Sequence, residues 1–396
     1  MNHLYLDYKT FYLLAYCKDY TNMARNLSYS YFLLSLQKSL ELNSVTVFQK
    51  NLSSLKTSGT PIELALPYII QARAQWNFTD QETFDKLNYK IKNEKANELE
   101  VLINYLRFSA LTDPILTPYI LKSLEEHIKY LHPFEITQSQ MIHILSSLNN
   151  TGYYNKEILD FINTSILQSN LPPGRLGQEL LCQLIKFYSN TGIECIEIWD
   201  LLKTILNSKN YHQPSIENKI SIVHSLCLKD NFSIPQNILN DFFQIPFQRL
   251  QSPKILEVLL VFNYLEFFKN VKNFSRSAEE FRKNPEILDI KPATITSNFQ
   301  KEIGRVFKFC FNDFQSEYII RENNSFMTVD IFLPPKLIVE AQGPSHYLKP
   351  QNRELEKSKK KRAYLESIGY SVYSIPYFDW PSTHSSQVTY IKSLIP

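Results

Sequence analysis

The segment Ile338-Val339-Glu340-Ala341-Gln342-Gly343-Pro344-Ser345-His346 decides how the end of this chain is read. An apolar, β-branched start places Glu340 and Gln342 on one side of an extended run, since strand side chains alternate with period two. Gly343-Pro344 then breaks the run and turns His346 back toward the carboxylate. Working outward, Lys336–Ala341 reads as a strand, and Phe326–Leu333 and Glu317–Arg321 have the same character. Pro334-Pro335 supplies the turn between two of them. Upstream, Ser297-x-x-Gln300 has the form of a capping box. It opens a helix whose apolar face carries Ile303, Val306, Phe307 and Cys310. Downstream, a charged helix is predicted from Asn352 to Ile368, with Gly369 as its stop. Ser371–Ile375 follows as a fourth strand and Gln387–Leu394 as a last helix. The order is α-β-β-β-α-β.

Ahead of this lies a different pattern. Asn150-Thr151-Gly152 recurs forty residues later as Asn190-Thr191-Gly192. Glu157-Ile158, Asp160 and Thr164 recur at the same offset as Glu197-Ile198, Asp200 and Thr204. A further step takes Asn190 to Asp230 and Ile198 to Ile238. Each unit reads as two amphipathic helices; Ile158, Phe161, Ile162 and Ile166 mark the apolar stripe of one. Thr137-x-x-Gln140 is a capping box for the first helix of a unit, and the Asn-Thr-Gly triplet is its terminal turn. A two-helix period near forty predicts an α-solenoid-like array, in which stacking buries what no unit can bury alone; an irregular helical bundle is the alternative. The expected divisions are a helical region 1–95 with Thr79-x-x-Glu82 as another cap, helical-hairpin repeats 96–268, a polar linker 269–297 carrying Pro285 and Pro292, and a domain 298–396. The fold class is mostly α, with a small α/β domain at the end.

Composition narrows function. With 44% apolar and 20% charged residues the chain is a folded protein. Eight glycines favour long helices over a turn-rich sheet protein. Five scattered cysteines include no Cys-x-x-Cys pair and fit a reducing compartment. There is no apolar run of membrane-spanning length, so no membrane partner is expected. The N-terminal stretch mixes Lys9, Lys18 and Arg25 with Asp7 and Asp19, which is acid-rich for a transit peptide. The net charge is +3, yet Gly343 to Tyr373 holds seven basic residues against three acids, +4 in that segment alone. Local basic patches, not averages, attract phosphate.

Four blocks in this order resemble the RAP domain: Val329-Asp330-Ile331; Ile338-Val339-Glu340-x-Gln342-Gly343-Pro344-Ser345-His346; Lys361-Arg362-x-x-Leu365-Glu366-x-x-Gly369-Tyr370-x-Val372; and Ile375-Pro376-Tyr377-Phe378-x-Trp380. The resemblance covers about 298–395. It implies a restriction-endonuclease-like fold, RNA as partner, an organellar setting in a mitochondrion or plastid, and helical repeats ahead of the domain. The mitochondrial matrix is the expected location, with organellar and especially ribosomal RNA as the ligand and ribosomal proteins as further partners. The expected role is RNA binding, stabilisation, processing or assembly without catalysis. One alternative is a structural subunit of a mitochondrial ribosome; another is a metal-dependent RNA endonuclease.

In the endonuclease reading Asp330 and Glu340 would hold Mg²⁺ and His346 would act as general acid or base. Nuclease cores of this fold place a lysine two residues after the glutamate, and most RAP domains an aspartate. Gln342 departs from both, so no cofactor is expected. Lys357, Lys359, Lys360, Lys361 and Arg362 are the candidate phosphate contacts, with Lys361 and Arg362 favoured by their place in the family block. Residues 359–362 wrap more than one helical turn and cannot all face one ligand. His346 and Tyr373 complete the expected RNA contacts, Tyr373 by stacking. Phe378 and Trp380 are expected in the core.

Overall fold

The computed structural model describes residues 20–395 except 58–61, 77, 94–97, 112–113, 170–175, 209–213, 248–249, 251, 272–273, 275–278, 282–296 and 322–326. The acid-rich N-terminal stretch, with Cys17, lies largely outside the described residues. The chain divides into two compact units, Met1–Glu135 and Ile136–Pro396.

The first unit is helical: α1 (Tyr20–Glu41), α2 (Val45–Thr57), α3 (Ile62–Trp76), α4 (Gln81–Asn93), α5 (Leu99–Leu111) and α6 (Thr117–Ile128). Leu36, Phe48, Leu66, Leu87 and Leu106 lie in its core. Helix α5 packs on both α3 and α6, so this unit runs on past the division expected at 95. The cap of α4 is Asp80, whose Oδ1 accepts the Thr83 N–H at 3.1 Å, and not Thr79. Asp80 also binds Lys56 at 2.9 Å, a partner that lies twenty-four residues away.

The second unit opens with the repeats. Helices α7 (Gln138–Thr151), α9 (Gln178–Thr191), α11 (Ile216–Leu228) and α13 (Ser252–Lys269) pack in succession as a row. Between them run α8 (Lys156–Gln168), α10 (Ile196–Leu206) and α12 (Gln236–Phe243). The capping box at Thr137 and Gln140 forms as expected. Gly152 and Gly192 end α7 and α9 in the left-handed region, at φ 69° and 63°. There a side chain would be strained, which is why the triplet ends in glycine. The repeat extends to the neighbour relations. Gly177 N–H donates to Gln138 Oε1 at 2.9 Å, and one step on Asn218 Nδ2 donates to Glu179 Oε2 at 3.0 Å. Much of the stretch expected as a linker lies outside the described residues. Phe274 and Phe281, which are described, pack on Phe262, so part of it continues the helical core.

The α/β part has the expected order. Helix α14 (Asn298–Cys310) opens on the Ser297/Gln300 capping box. Strands β1 (Gln315–Ile320), β2 (Met327–Leu333) and β3 (Leu337–Gln342) follow. A short pair, β4 (Tyr347–Leu348) and β5 (Arg353–Glu354), precedes α15 (Glu356–Ser367), β6 (Ser371–Pro376) and α16 (His384–Leu394). The sheet order is β1-β2-β3-β6, with β6 parallel to β3 and the other pairs antiparallel. Helix α15 is shorter than expected, because residues 353–354 pair with 347–348 before it begins. One sheet face, through Ile331, Val339, Ala341 and Ile375, packs on Ile303 and Phe307 of α14 and Ile391 of α16. Helix α15 packs against β6 and also against α9 and α11 of the repeats.

Candidate functional site

Asp330 and Glu340, the two carboxylates that the endonuclease alternative would give to a metal, stand where β2 and β3 part. The ladder pairs Leu333 with Leu337, Phe332 with Ile338 and Ile331 with Val339, and stops there. Asp330 takes over: its Oδ2 accepts the Ala341 backbone N–H at 2.7 Å, and its Oδ1 accepts from the Gln300 amide of α14. The carboxylate thus satisfies a donor that the ladder leaves open. Glu340 is buried, and its Oε2 is 2.6 Å from Lys361 Nζ. Burial pushes its carboxyl up, Lys361 opposes the shift, and Asp330 adds to it. Its Oε1 has no hydrogen-bond partner. A divalent cation needs several free oxygen ligands. Three of the four oxygens here already hold hydrogen bonds, and Lys361 supplies the positive charge, so these residues do not fit a metal ion.

Gln342 is buried in a polar chain that explains the amide. Its Nε2 donates to Glu354 Oε1 at 2.7 Å, and its Oε1 accepts from the Tyr347 hydroxyl. Glu354 Oε2 in turn accepts from Arg362 at 2.7 Å, and Arg362 donates to Ser374 Oγ at 3.3 Å. An amide donates and accepts at once, whereas an aspartate beside Glu354 would bring two carboxylates together. His346 Nδ1 lies 3.0 Å from Ser358 Oγ. Burial, with Lys357 and Lys361 nearby, pushes its imidazole down to about 4, so the ring is neutral at neutral pH.

The basic helix α15 and the β4–β5 pair face the repeats. Lys349 N–H donates to the Gly152 carbonyl at 2.7 Å, and Tyr154 N–H returns a bond to Lys349 O at 2.8 Å. Lys349 Nζ reaches the Thr151 carbonyl at 3.4 Å, and Arg353 donates to the Thr191 carbonyl at 2.6 Å. Thr151 and Thr191 are the last residues of α7 and α9, where unsatisfied carbonyls and the helix dipole attract cations. Lys360 pairs with Asp230, just beyond α11, and its Nζ lies 4.6 Å from the centre of the Phe268 ring of α13. The successive ends of one helix row therefore each receive a basic side chain from the segment 349–360. Lys359 pairs with Glu356 at 2.8 Å. Lys357 sits where burial and the charge of Lys186 on α9 hold its ammonium below the ordinary value.

Of the five candidate phosphate contacts, Lys359, Lys360 and the favoured pair Lys361 and Arg362 thus all have intramolecular partners. The docking role of the two triplets is what sequence reasoning missed. Its signal was present as basic residues at 349 and 353 and a threonine-glycine helix end that recurs once, forty residues on. Tyr373 packs beside the core under α14 and α16, as does Trp380, whose Nε1 donates to Glu302 at 2.9 Å. Phe378, expected in the core, is 45% exposed, in a T-shaped contact with Tyr347.

Residues 339–394 match the RAP domain, a segment that holds Glu340, Gln342, His346, the whole of α15 and β6. The chain carries a RAP domain. Such domains are generally associated with RNA binding. A chloroplastic RAP domain-containing protein of Oryza sativa subsp. japonica is 29% identical over 104 residues, 26% of this chain and 16% of that relative. The chain thus matches less than a fifth of that relative's length. Within the structure the RAP segment is not self-contained: Asp330, which binds Ala341, and α14, which covers the sheet, lie ahead of it. No described helix is long and apolar enough to cross a membrane.

Proposed function

We propose that this protein binds organellar RNA without cutting it, and acts in the stabilisation, processing or assembly of that RNA. The RAP match and the organellar name of the relative support the ligand and the setting. The observation that carries the non-catalytic half is the engagement of both carboxylates, Asp330 by Ala341 N–H and Gln300, and Glu340 by Lys361. With three of the four carboxylate oxygens engaged and His346 hydrogen-bonded to Ser358, the described residues of the strand junction offer no pair of free groups to activate water. Ribosomal RNA in the mitochondrial matrix is the first ligand and compartment to examine, on the strength of the family resemblance. A structural place in the mitochondrial ribosome is the second reading. It is favoured by exposed aromatics of the first unit such as Tyr130 and Phe134, 90% and 61% accessible, because large exposed apolar groups often mark partner surfaces.

Full-length protein mixed with labelled single-stranded RNA, at rising salt and with Mg²⁺ or Mn²⁺, tests the main reading. Salt-sensitive binding with intact RNA is expected. Cleavage that disappears in Asp330→Ala or Glu340→Ala would overturn the non-catalytic assignment, and absence of binding at low salt would overturn the RNA assignment. Sedimentation with ribosomal particles separates a ribosomal subunit from a free factor.

A further inference from the structure

Helix α14 presents a second basic surface that the repeats do not cover with charge partners. Lys301, Arg305 and Lys308 are exposed and follow the spacing i, i+4, i+7, so they form one stripe. At 1.5 Å rise per residue the stripe runs roughly 10 Å along the helix. None of the three side chains makes a hydrogen bond or ion pair with a described residue, in contrast to those of Lys359, Lys360, Lys361 and Arg362 on α15. They border an open groove of about 340 Å³ between α14 and the β1–β2 edge, where Phe314 and Asp330 also contribute. Gly304 lies between the cations, and a Cβ there would meet nothing within 4 Å, so the helix surface at the groove is bare. Glu317 also faces the groove, from β1. One turn beyond Arg305, and just outside the groove lining, Phe309 is 69% exposed, in a T-shaped contact with His384 at 5.4 Å between centroids.

We propose that this groove is the RNA-binding site of the domain, taking the sugar-phosphate backbone of a single strand along Lys301, Arg305 and Lys308, with a base stacked on Phe309. The assignment rests on the RNA reading above and adds to it the face that does the binding. A row of unpaired cations supplies sequence-independent attraction to phosphates. An exposed aromatic four residues from Arg305 is what distinguishes a nucleic-acid strand from an acidic peptide, since a base offers a flat ring to stack and a carboxylate does not. Asp330 meets the groove with both oxygens already bonded, so it does not present a free carboxylate to the backbone.

The test uses the full chain, a fluorescent single-stranded oligouridylate, and the triple variant Lys301→Gln, Arg305→Gln, Lys308→Gln, with Phe309→Ala made separately. All four residues are exposed, so thermal melts should match wild type. The triple variant should bind roughly tenfold or more weakly, and its log–log salt slope should be shallower by about 2, at ~0.7 per lost single-strand phosphate contact. Phe309→Ala should weaken binding by about fivefold or more without altering that slope. Wild-type affinity and slope in the triple variant, with RNA still bound, would overturn the groove and leave the RNA reading standing. Absence of RNA binding by the wild type would overturn both. Equal competition by polyaspartate and by unlabelled RNA would replace the strand with an acidic peptide as the ligand.

Discussion

Helices α14 and α15 are both basic, and they use their charge in opposite ways. Helix α15 has the denser cluster, five cations within residues 357–362, yet four of them reach a carboxylate of the same chain: Glu356, Asp230, Glu340 and Glu354. Helix α14 has three on its outer face and leaves them to solvent. A count of charge along a sequence therefore says little about charge available to a ligand. Partner geometry decides, because a cation at hydrogen-bond distance from a buried carboxylate is held by it far more firmly than by a solvated phosphate. The basic segment that looks like a clamp on RNA is, in the structure, a clamp between the RAP segment and the ends of the repeat helices.

The contrast can be broken most sharply at Lys361. Replacing it with alanine leaves Glu340 buried without its counter-charge, a change expected to cost about 3–5 kcal/mol. Urea denaturation measures this, and Lys361→Met with Glu340→Gln should recover much of the loss. A loss below about 1 kcal/mol for the single variant would mean that the pair is not what holds α15 on the sheet.

Next in size is an effect of pH. The His346 imidazole is pushed down from its ordinary 6.5 to about 4, so the folded state disfavours the protonated ring. Its contribution to stability is complete above about 6.5 and is lost as pH falls toward 4. From 6.5 to about 4 the full shift corresponds to roughly 3–3.5 kcal/mol, at 1.36 kcal/mol per pH unit. Glu340 works the other way. Its raised carboxyl favours the protonated form in the folded state, so its contribution is present at low pH and fades as pH rises through the folded value. Denaturation midpoints from pH 7 to 4 should show a steeper acid loss in wild type than in His346→Gln. Parallel curves would remove the histidine from the account.

A smaller effect tests the docking of the RAP segment. A Cβ on Gly152 would stand 2.6 Å from the Tyr347 carbonyl oxygen, a backbone atom, and at φ 69° it is strained as well. Gly152→Ala should cost about 2 kcal/mol or more. Gly192→Ala should cost less, because its Cβ meets the Glu356 side chain, which can move aside. The reverse order would place the rigid contact at the wrong repeat. The smallest effect belongs to α14: Lys301→Gln or Arg305→Gln should change stability by no more than about 0.5 kcal/mol, as exposed unpaired side chains do. A large loss there would mean that the stripe has partners within the fold.

Much of the architecture was legible because it is written in local signals. The capping boxes at Thr137 and Ser297 form as their spacing requires, and the αL glycines at 152 and 192 mark successive repeats. The order α-β-β-β-α-β followed from apolar alternation and turn residues. Two-residue strands carry no such periodicity, so the pair at 347–348 and 353–354 was absorbed into a longer predicted helix. The cap at Asp80 was misplaced by one residue, since two adjacent capping residue types compete and the winner also binds Lys56. The distant partners of β5 and α15 could not be read: Lys360 meets a residue 130 positions away and Arg353 one 162 positions away. The α14 stripe has no sequence signal beyond the polar face that any solvated helix shows; what sets it apart is that four of the cations of α15 are engaged within the fold.

Photocrosslinking of a 4-thiouridine-substituted single-stranded RNA to the full-length protein, with the crosslinked peptides identified by mass spectrometry, tests the assignment most directly. Crosslinks concentrated on residues 298–310, and sparse on 356–367, are the predicted result. Crosslinks confined to 356–367, with α14 unlabelled, would contradict it and return the binding face to the basic helix.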